Sequence, residues 1–320
     1  MQLPERFVEW IKTQLDEETD AFLASFKQTP STSIRVNPRK INDFEGDKIP
    51  WSQYGYYLSQ RPSFGKDPLF HAGAYYVQEA SSMILELFFR YIKSQLPNQP
   101  LKVLDLCAAP GGKSTHLLSL MGEDDLLVAN EIIPKRNLVL QENIVKWGNS
   151  NTVVIQNKPD DFRALSEFFD VILVDAPCSG EGMFRKDAIA IQEWSPAHVE
   201  TCALRQNHIL ESILPTLKTG GYLIYSTCTY NQFENDRVVE ALVKEKQMLS
   251  ISIPMDAWGQ KQTTYGVQLY PHCVKGEGLY MACIQKVEYS KHKNVSSSKQ
   301  KKNYFQWKEK VESDLLSDFV

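Results

Sequence analysis

From about residue 73 onward, short apolar runs alternate with helical patterns, and no other feature limits the fold of this chain so strongly. The runs 102–106, 126–131, 152–155, 170–175 and 222–226 read as strands, separated by helical stretches of which 135–147 and 197–217 are the clearest. Strands that alternate with helices build a doubly wound parallel sheet, so the expected class is α/β. A helix over 78–91 leads in, a helix over 233–246 follows, and stretches 266–270 and 279–286 are expected as an antiparallel edge pair. A sheet of this kind opens its ligand crevice at the carboxyl ends of its strands.

The first 72 residues differ. Phe7, Trp10, Ile11, Leu15, Phe22, Leu23 and Phe26 fall at helical spacing and predict one or two amphipathic helices. Residues 32–37 alternate like a short strand that Pro38 stops, and Pro50, Gly55, Pro62, Gly65 and Pro68 punctuate a stretch rich in aromatics. The expected organisation is a small α+β domain over 1–72, the α/β domain over 73–286, and a basic linker with an amphipathic tail over 287–320. The linker lysines Lys291, Lys293, Lys299, Lys301 and Lys302 either lend salt-sensitive RNA affinity or are simply solvated.

The 320 residues are 42% hydrophobic and 23% charged, with a net charge of -4, so any nucleic-acid surface must be a local patch on an acidic body. The six cysteines form no C-x-x-C pair, which favours reduced thiols in the cytoplasm. None of the six histidines has a partner at ligand spacing; no metal is expected, and His116 reads as structural. There is no secretory leader pattern and no apolar stretch near the roughly 20 residues a membrane helix needs, so a cytoplasmic monomer is expected.

The run 103–106 feeds Cys107-Ala108-Ala109-Pro110-Gly111-Gly112-Lys113-Ser114, a glycine turn that opens a helix. A P-loop would need glycine where Cys107 stands, and G-x-G-x-x-G is absent. Glycines still permit close backbone approach, and a helix amino end favours carboxylate or anionic groups. Glu131, 20 residues after Gly111, ends the next strand, where a carboxylate can bond both hydroxyls of a ribose. Together these favour an adenosyl cofactor without a pyrophosphate over a plain tight turn. Lys113 is slightly unfavourable against the helix dipole, which suggests that it has a partner.

Two thiol corners, Asp175-Ala176-Pro177-Cys178 and Ser226-Thr227-Cys228-Thr229, each follow an apolar run, so both thiols are expected at strand ends. Each alone can be filler, since free cysteine is often buried. With the segments 107–114, 175–182, Arg185-Lys186-Asp187 and 225–229, the chain resembles the Sun-type RNA cytosine-5 methyltransferases, in particular the bacterial RsmF-like small-subunit ribosomal RNA group. Tyr75-Tyr76-Val77-Gln78-Glu79-Ala80-Ser81-Ser82, Arg35-Val36-Asn37-Pro38, and Pro271-His272 with Gly276-Glu277-Gly278 extend the likeness, in order, over about residues 4–286.

The resemblance implies a class I, Rossmann-like, seven-stranded sheet with S-adenosyl-L-methionine held by Cys107, Ala108, Ala109, Pro110, Gly111, Gly112 and Lys113. It also implies Glu131 on the ribose and Asp175 near the methionine end. Where many relatives carry an Asp by the adenine, this chain reads Gln156-Asn157, which makes Asn157 the substitute. Carbon 5 of cytosine is a poor nucleophile, so a thiolate first adds at carbon 6, and a second group assists release of the methylated base. The resemblance gives the first role to Cys228 and the second to Cys178; physics alone does not choose between them. Lys113 is a candidate for stabilising the thiolate, and Asp175 for hydrogen bonding the cytosine ring. Arg185 and Lys186 are candidates for an RNA phosphate, with simple solvation as the alternative. The aromatics Trp51, Tyr54, Tyr56 and Tyr57 either stack bases or pack a core. Ribosomal RNA is the expected partner. The competing functions are tRNA as substrate, methylation of an exocyclic nitrogen, and a noncatalytic RNA-binding protein with the same fold.

Overall fold

The computed structural model describes residues 3–41 and 44–287; the linker lysines from Lys291 to Lys302 and the tail from Tyr304 to Val320 lie outside the described residues. The helical spacing at the amino end gives α1 (Glu5–Leu15) and α2 (Thr19–Ser25), which bury Phe7, Ile11 and Phe22. These side chains pack onto the later part of the chain: Phe7 meets Phe184 and Trp194 at ring-centroid distances of 5.1 and 5.8 Å, and Phe22 meets Tyr230 at 5.1 Å.

A small antiparallel sheet follows, with β1 (Thr32–Val36), β2 (Asp47–Lys48), β3 (Gly55–Leu58) and, after the short α3 (Pro68–His71), β4 (Tyr75–Val77), in the order β2-β3-β1-β4. Because β4 pairs with β1, this sheet draws on chain from both sides of residue 72. Arg35 of β1 joins it to the rest. Its guanidinium is fully buried, donates to Gln78 Oε1, Ser119 Oγ and Thr115 Oγ1 at 2.6–2.9 Å, and lies 4.4 Å from the centre of the Trp147 ring. The described residues cluster as one compact unit.

The helix expected over 78–91 starts late. Gln78 points its side chain at Arg35, Glu79 accepts from the N–H groups of Ser81 and Ser82, and after a tight turn α4 runs Leu85–Gln95. Glu79 thus caps a first turn, Ser81–Ile84, that is 3-10 helix and runs directly into α4.

The main sheet has β5 (Lys102–Asp105), β6 (Leu126–Asn130), β7 (Thr152–Ile155), β8 (Phe169–Asp175) and β9 (Leu217–Thr227) in parallel, with α5 (Gly112–Leu120), α6 (Pro134–Trp147), α7 (Ala188–Glu193) and α8 (Pro196–Ile213) between them. Beyond β9 come α9 (Asp236–Glu245), β10 (Leu249–Ile251), β11 (Lys261–Gln262), β12 (Val267–Leu269) and β13 (Leu279–Gln285). The order is β11-β12-β13-β9-β8-β5-β6-β7, with β10 also on β13. The expected antiparallel pair is present as β12 and β13, and β13 lies inside the sheet, antiparallel to β9. Seven strands form the doubly wound body, and the short β10 and β11 extend it to nine.

Alternation along the central strands fills two cores. Val103, Val171 and Ile224 face a layer with Leu117, Leu140 and Phe88, whereas Leu104, Ile172 and Leu223 face Leu210, Ile213 and Val239. With helices covering both faces, the accessible part of the sheet is its carboxyl edge. The strand order reverses at β5, between β6 and β8, and there the crevice opens. Among the described residues no helix is long and apolar enough to cross a membrane.

Candidate active site

The turn after β5 is fixed from both sides. Leu106 N–H donates to Leu173 O and Ala108 N–H to Asn130 O, so the backbone is tied to the strands flanking the crevice. The Ala109–Pro110 peptide bond is cis, and Gly111 caps α5 at φ +110°, a conformation that favours glycine. Arg136 donates to Ala109 O and Asn143 to Pro110 O, at 2.9 and 2.8 Å, which leaves residues 107–113 as a braced rim.

Acidic groups collect beneath this rim. Asp105 is fully buried: Oδ2 accepts from Ser114 at 2.6 Å and Oδ1 has no partner. Burial pushes its carboxyl up to about 7, against the opposing Ser114 bond. Glu131 is also buried; Oε1 accepts from Ile133 N–H at 2.9 Å and Oε2 lies 3.4 Å from Arg136. Asn157 sits at the edge of this region, its backbone exchanging two bonds with the Asn130 side chain and its own amide reaching toward Asp161. Burial, followed by the charges of Asp105, Asp175 and Glu131, drives the Cys107 thiol far up, which favours its neutral form.

Lys113, in the first turn of α5, has the partner its position called for: Nζ lies 2.7 Å from Asp175 Oδ2 at the tip of β8. Burial acts to lower Lys113, but the charge and hydrogen bond of Asp175, with the charge of Cys228, outweigh it and hold the ammonium above its ordinary value. The other Asp175 oxygen accepts from Ser226 Oγ at 2.7 Å, so β8 and β9 are latched at their tips.

Both thiol corners leave this latch and converge. Cys178 Sγ and Cys228 Sγ are 3.2 Å apart, both partly exposed, and all six cysteines are free. Gly182 makes the approach of the two loops possible: its N–H donates to Cys228 O at 2.7 Å, and a Cβ there would lie 2.8 Å from the same oxygen. Behind the thiols, buried Glu181 accepts from Tyr230 N–H, Asn231 and Trp194. The Cys178 thiol is held well above its ordinary value, first by its bond with Cys228, then by burial and the nearby Glu234 carboxylate.

Arg185 requires a correction. It does not extend to solvent as a phosphate contact; Nε and Nη2 make a two-pronged bond to Glu277 at 2.6 and 2.9 Å, Nη1 donates to Ser25 O, and the side chain is 6% exposed. Its partner is 92 residues away in the chain, beyond any local pattern. Lys186 is partly exposed, 3.5 Å from the same carboxylate. Trp51, Tyr56 and Tyr57 are buried in hydrophobic cores, Trp51 donating to Ala80 O, and Tyr54 packs partly buried beside Tyr56, both bordering an open cavity of about 350 Å³. His272 meets Glu18 at 3.0 Å with Cys273 nearby, a ligand-type trio invisible to sequence spacing; Lys261 already pairs with that glutamate.

Sequence reasoning missed Asp105, Ser226, Glu181 and Glu234. Asp105 had a signal, an acid closing an apolar run at a glycine turn; Glu234, alone after the second corner, had none.

Residues 95–285 match the family described as 16S rRNA methyltransferase RsmB/F, and residues 3–80 match the N-terminal domain of 16S rRNA methyltransferase RsmF. Ribosomal RNA small subunit methyltransferase F of Erwinia tasmaniensis is 35% identical over 307 residues, covering 89% of this chain and 63% of its own length. Its counterpart in Vibrio vulnificus is 35% identical over 338 residues, covering 98% of this chain and 70% of its own length. The chain thus spans 63% to 70% of these relatives. A methyltransferase homologue from Pyrococcus horikoshii superposes with a TM-score of 0.74 at 26% identity, covering 89% of this chain and 95% of that one. NSun6 from the same organism, solved with SFG, gives 0.76 at 19% identity, over 89% and 99%, and shares the fold. With a family match over more than half its length and relatives this similar, the chain belongs to the RsmB/F family of 16S rRNA methyltransferases.

Proposed function

We propose that this chain is an S-adenosylmethionine-dependent RNA methyltransferase that acts on carbon 5 of a cytosine in small-subunit ribosomal RNA, as a cytoplasmic monomer. The observation that carries this reading is the 3.2 Å approach of Cys178 and Cys228 beside the Lys113–Asp175 pair at the crevice mouth. Methylation of an exocyclic nitrogen needs no covalent nucleophile, let alone two thiols.

The residues around the β5 turn fit the methyl donor. Unpartnered, buried Asp105 Oδ1 is an acceptor in need of a cationic group, which the methionine end of the donor carries. The braced turn 107–113 would hold that end, with Asp175 bordering it. Glu131 keeps free lone pairs for both ribose hydroxyls, and Asn157 lies by the adenine side. When bound, the cofactor supplies the electrophilic methyl group.

Cys228 acts as the nucleophile: its thiolate bonds to carbon 6 of an extruded cytosine, raising electron density on carbon 5. Lys113 places a lasting positive charge by that sulfur, while Asp175, held by Lys113 and Ser226, would hydrogen-bond the polar edge of the ring. Cys178, kept as a thiol, gives its proton to the Cys228 sulfur as the carbon–sulfur bond breaks, and the thiolate so formed takes up the carbon 5 proton. Lys186 and the cavity bordered by Tyr54 are available to the RNA strand.

The test is incubation of purified protein with methyl-labelled cofactor, ribosomal RNA, assembled small subunits and tRNA. Label at cytosine carbon 5 in ribosomal RNA, lost in Cys228→Ala, is the expected result. Label on nitrogen, label in tRNA alone, or binding without label would overturn the reading.

A further inference from the structure

The loop that carries Cys178 is gripped on both sides of the thiol by one side chain that the chemistry above does not use. Glu234, in the turn before α9, is fully buried and accepts four hydrogen bonds. Ser179 N–H and Gln206 Nε2 donate to Oε2, each at 2.9 Å; Ser179 Oγ and Asn231 Nδ2 donate to Oε1, at 2.5 and 2.8 Å. Gln206 also donates to Pro177 O at 3.0 Å, so Glu234 grips the residues on both sides of Cys178. Asn231 further donates to Thr229 Oγ1 at 2.8 Å, which extends the grip to the residue after Cys228. Three of the four partners, the Ser179 N–H and the Gln206 and Asn231 side-chain amides, can only donate and favour the ionised carboxylate, whereas the Ser179 hydroxyl can donate or accept and burial draws the Glu234 carboxyl above its ordinary value.

We propose that Glu234 is a positioning residue of the methyl-transfer site, whose buried negative charge sets the spacing of the two sulfurs and keeps Cys178 in its protonated form. This rests on the reading of Cys178 as the assisting thiol. It also supplies a physical reason for the division of labour: the cation of the site, Lys113, interacts with Cys228, whereas the anion behind it, Glu234, interacts with Cys178. A thiol that must carry a proton while its neighbour loses one is served by that polarity. The other titratable groups facing this network are Glu181 from the Cys178 loop, Tyr225 from β9, and Cys202 and Arg205 from α8, Arg205 being a cation whose charge acts to lower the Cys202 thiol.

The test reads thiol protonation directly, without RNA or cofactor. In a Cys228→Ser background, which removes the neighbouring thiol, iodoacetamide labelling of Cys178 is followed against pH by peptide mass spectrometry, with and without Glu234→Gln. The midpoint for Cys178 is expected above that of N-acetylcysteine. Glu234→Gln is expected to raise labelling at about pH 8 by about tenfold, which corresponds to a midpoint lower by about one on the pH scale. Glu234→Asp, which keeps the charge, is expected to stay near the parent. Buried Cys202 and Cys283 serve as the folding control: labelling of both marks a general opening. If the Gln variant opens, the parent midpoint and the Asp variant decide. A parent midpoint at or below that of N-acetylcysteine, or equal profiles for the parent and a folded Gln variant, overturns the inference. Because labelling needs no substrate, failed methyl transfer with the labelling difference intact would sink the proposed function and leave standing only the control of Cys178 protonation by Glu234.

Discussion

Lys113 Nζ lies 2.7 Å from Asp175 Oδ2, and that contact joins the first turn of α5 to the tip of β8 across the crevice. The braced turn 107–113 and the thiol loops are therefore joined. Lys113→Met removes the charge while keeping much of the side-chain volume, and methyl transfer should fall by about a hundredfold or more. Lys113→Arg should recover only part of it, because a planar fork does not replace a compact ammonium. Single-turnover rates at saturating RNA check this; a Met variant within about threefold of the parent rate would remove Lys113 from the chemistry.

Asp105 makes stability depend on pH. Its carboxyl sits at about 7 when folded, against about 3.9 when unfolded. Between those values the folded protein keeps a proton that the unfolded chain releases, so stability falls as pH rises from about 4 to 7, and below that window the group contributes no penalty. Asp105→Asn should therefore gain on the parent by up to a few kcal/mol between about pH 4 and 8. Added cofactor should shrink the parent's decline. Urea unfolding at the two ends of that range gives the answer, and parallel curves for the two proteins would contradict it.

The Arg185–Glu277 pair ties the α7 approach to the loop before β13, with both side chains buried. Arg185→Ala leaves a buried carboxylate with too few partners and should cost about 3–5 kcal/mol of stability. Arg185→Met with Glu277→Leu should recover much of that. If Arg185→Ala instead keeps its stability and weakens RNA binding, the phosphate role expected from the sequence is restored.

Strands were legible as apolar runs, uninterrupted where both faces are buried as in Phe169–Asp175, and even the partly exposed edge strand Thr152–Ile155 has the bounds expected from the sequence. Both thiol corners were legible because each follows such a run. Long-range polar pairing was not. Arg185 looked exposed because Glu277 is distant in sequence, and Trp51 offered itself for stacking until its indole was found against Ala80. α4 starts later than expected because the first turn of that segment, Ser81–Ile84, capped by Glu79, is 3-10 and not α. The small sheet borrows β4 from beyond residue 72 for a related reason: pairing partners are set by the fold, and composition marks no boundary there.

The central claim is that Cys228 bonds to the base and Cys178 releases it. Cys178→Ala, incubated with cofactor and ribosomal RNA and then denatured, should yield a protein–RNA species that survives denaturing electrophoresis, whereas Cys228→Ala should yield none. The reverse pattern, or no surviving species from either variant, would contradict the account.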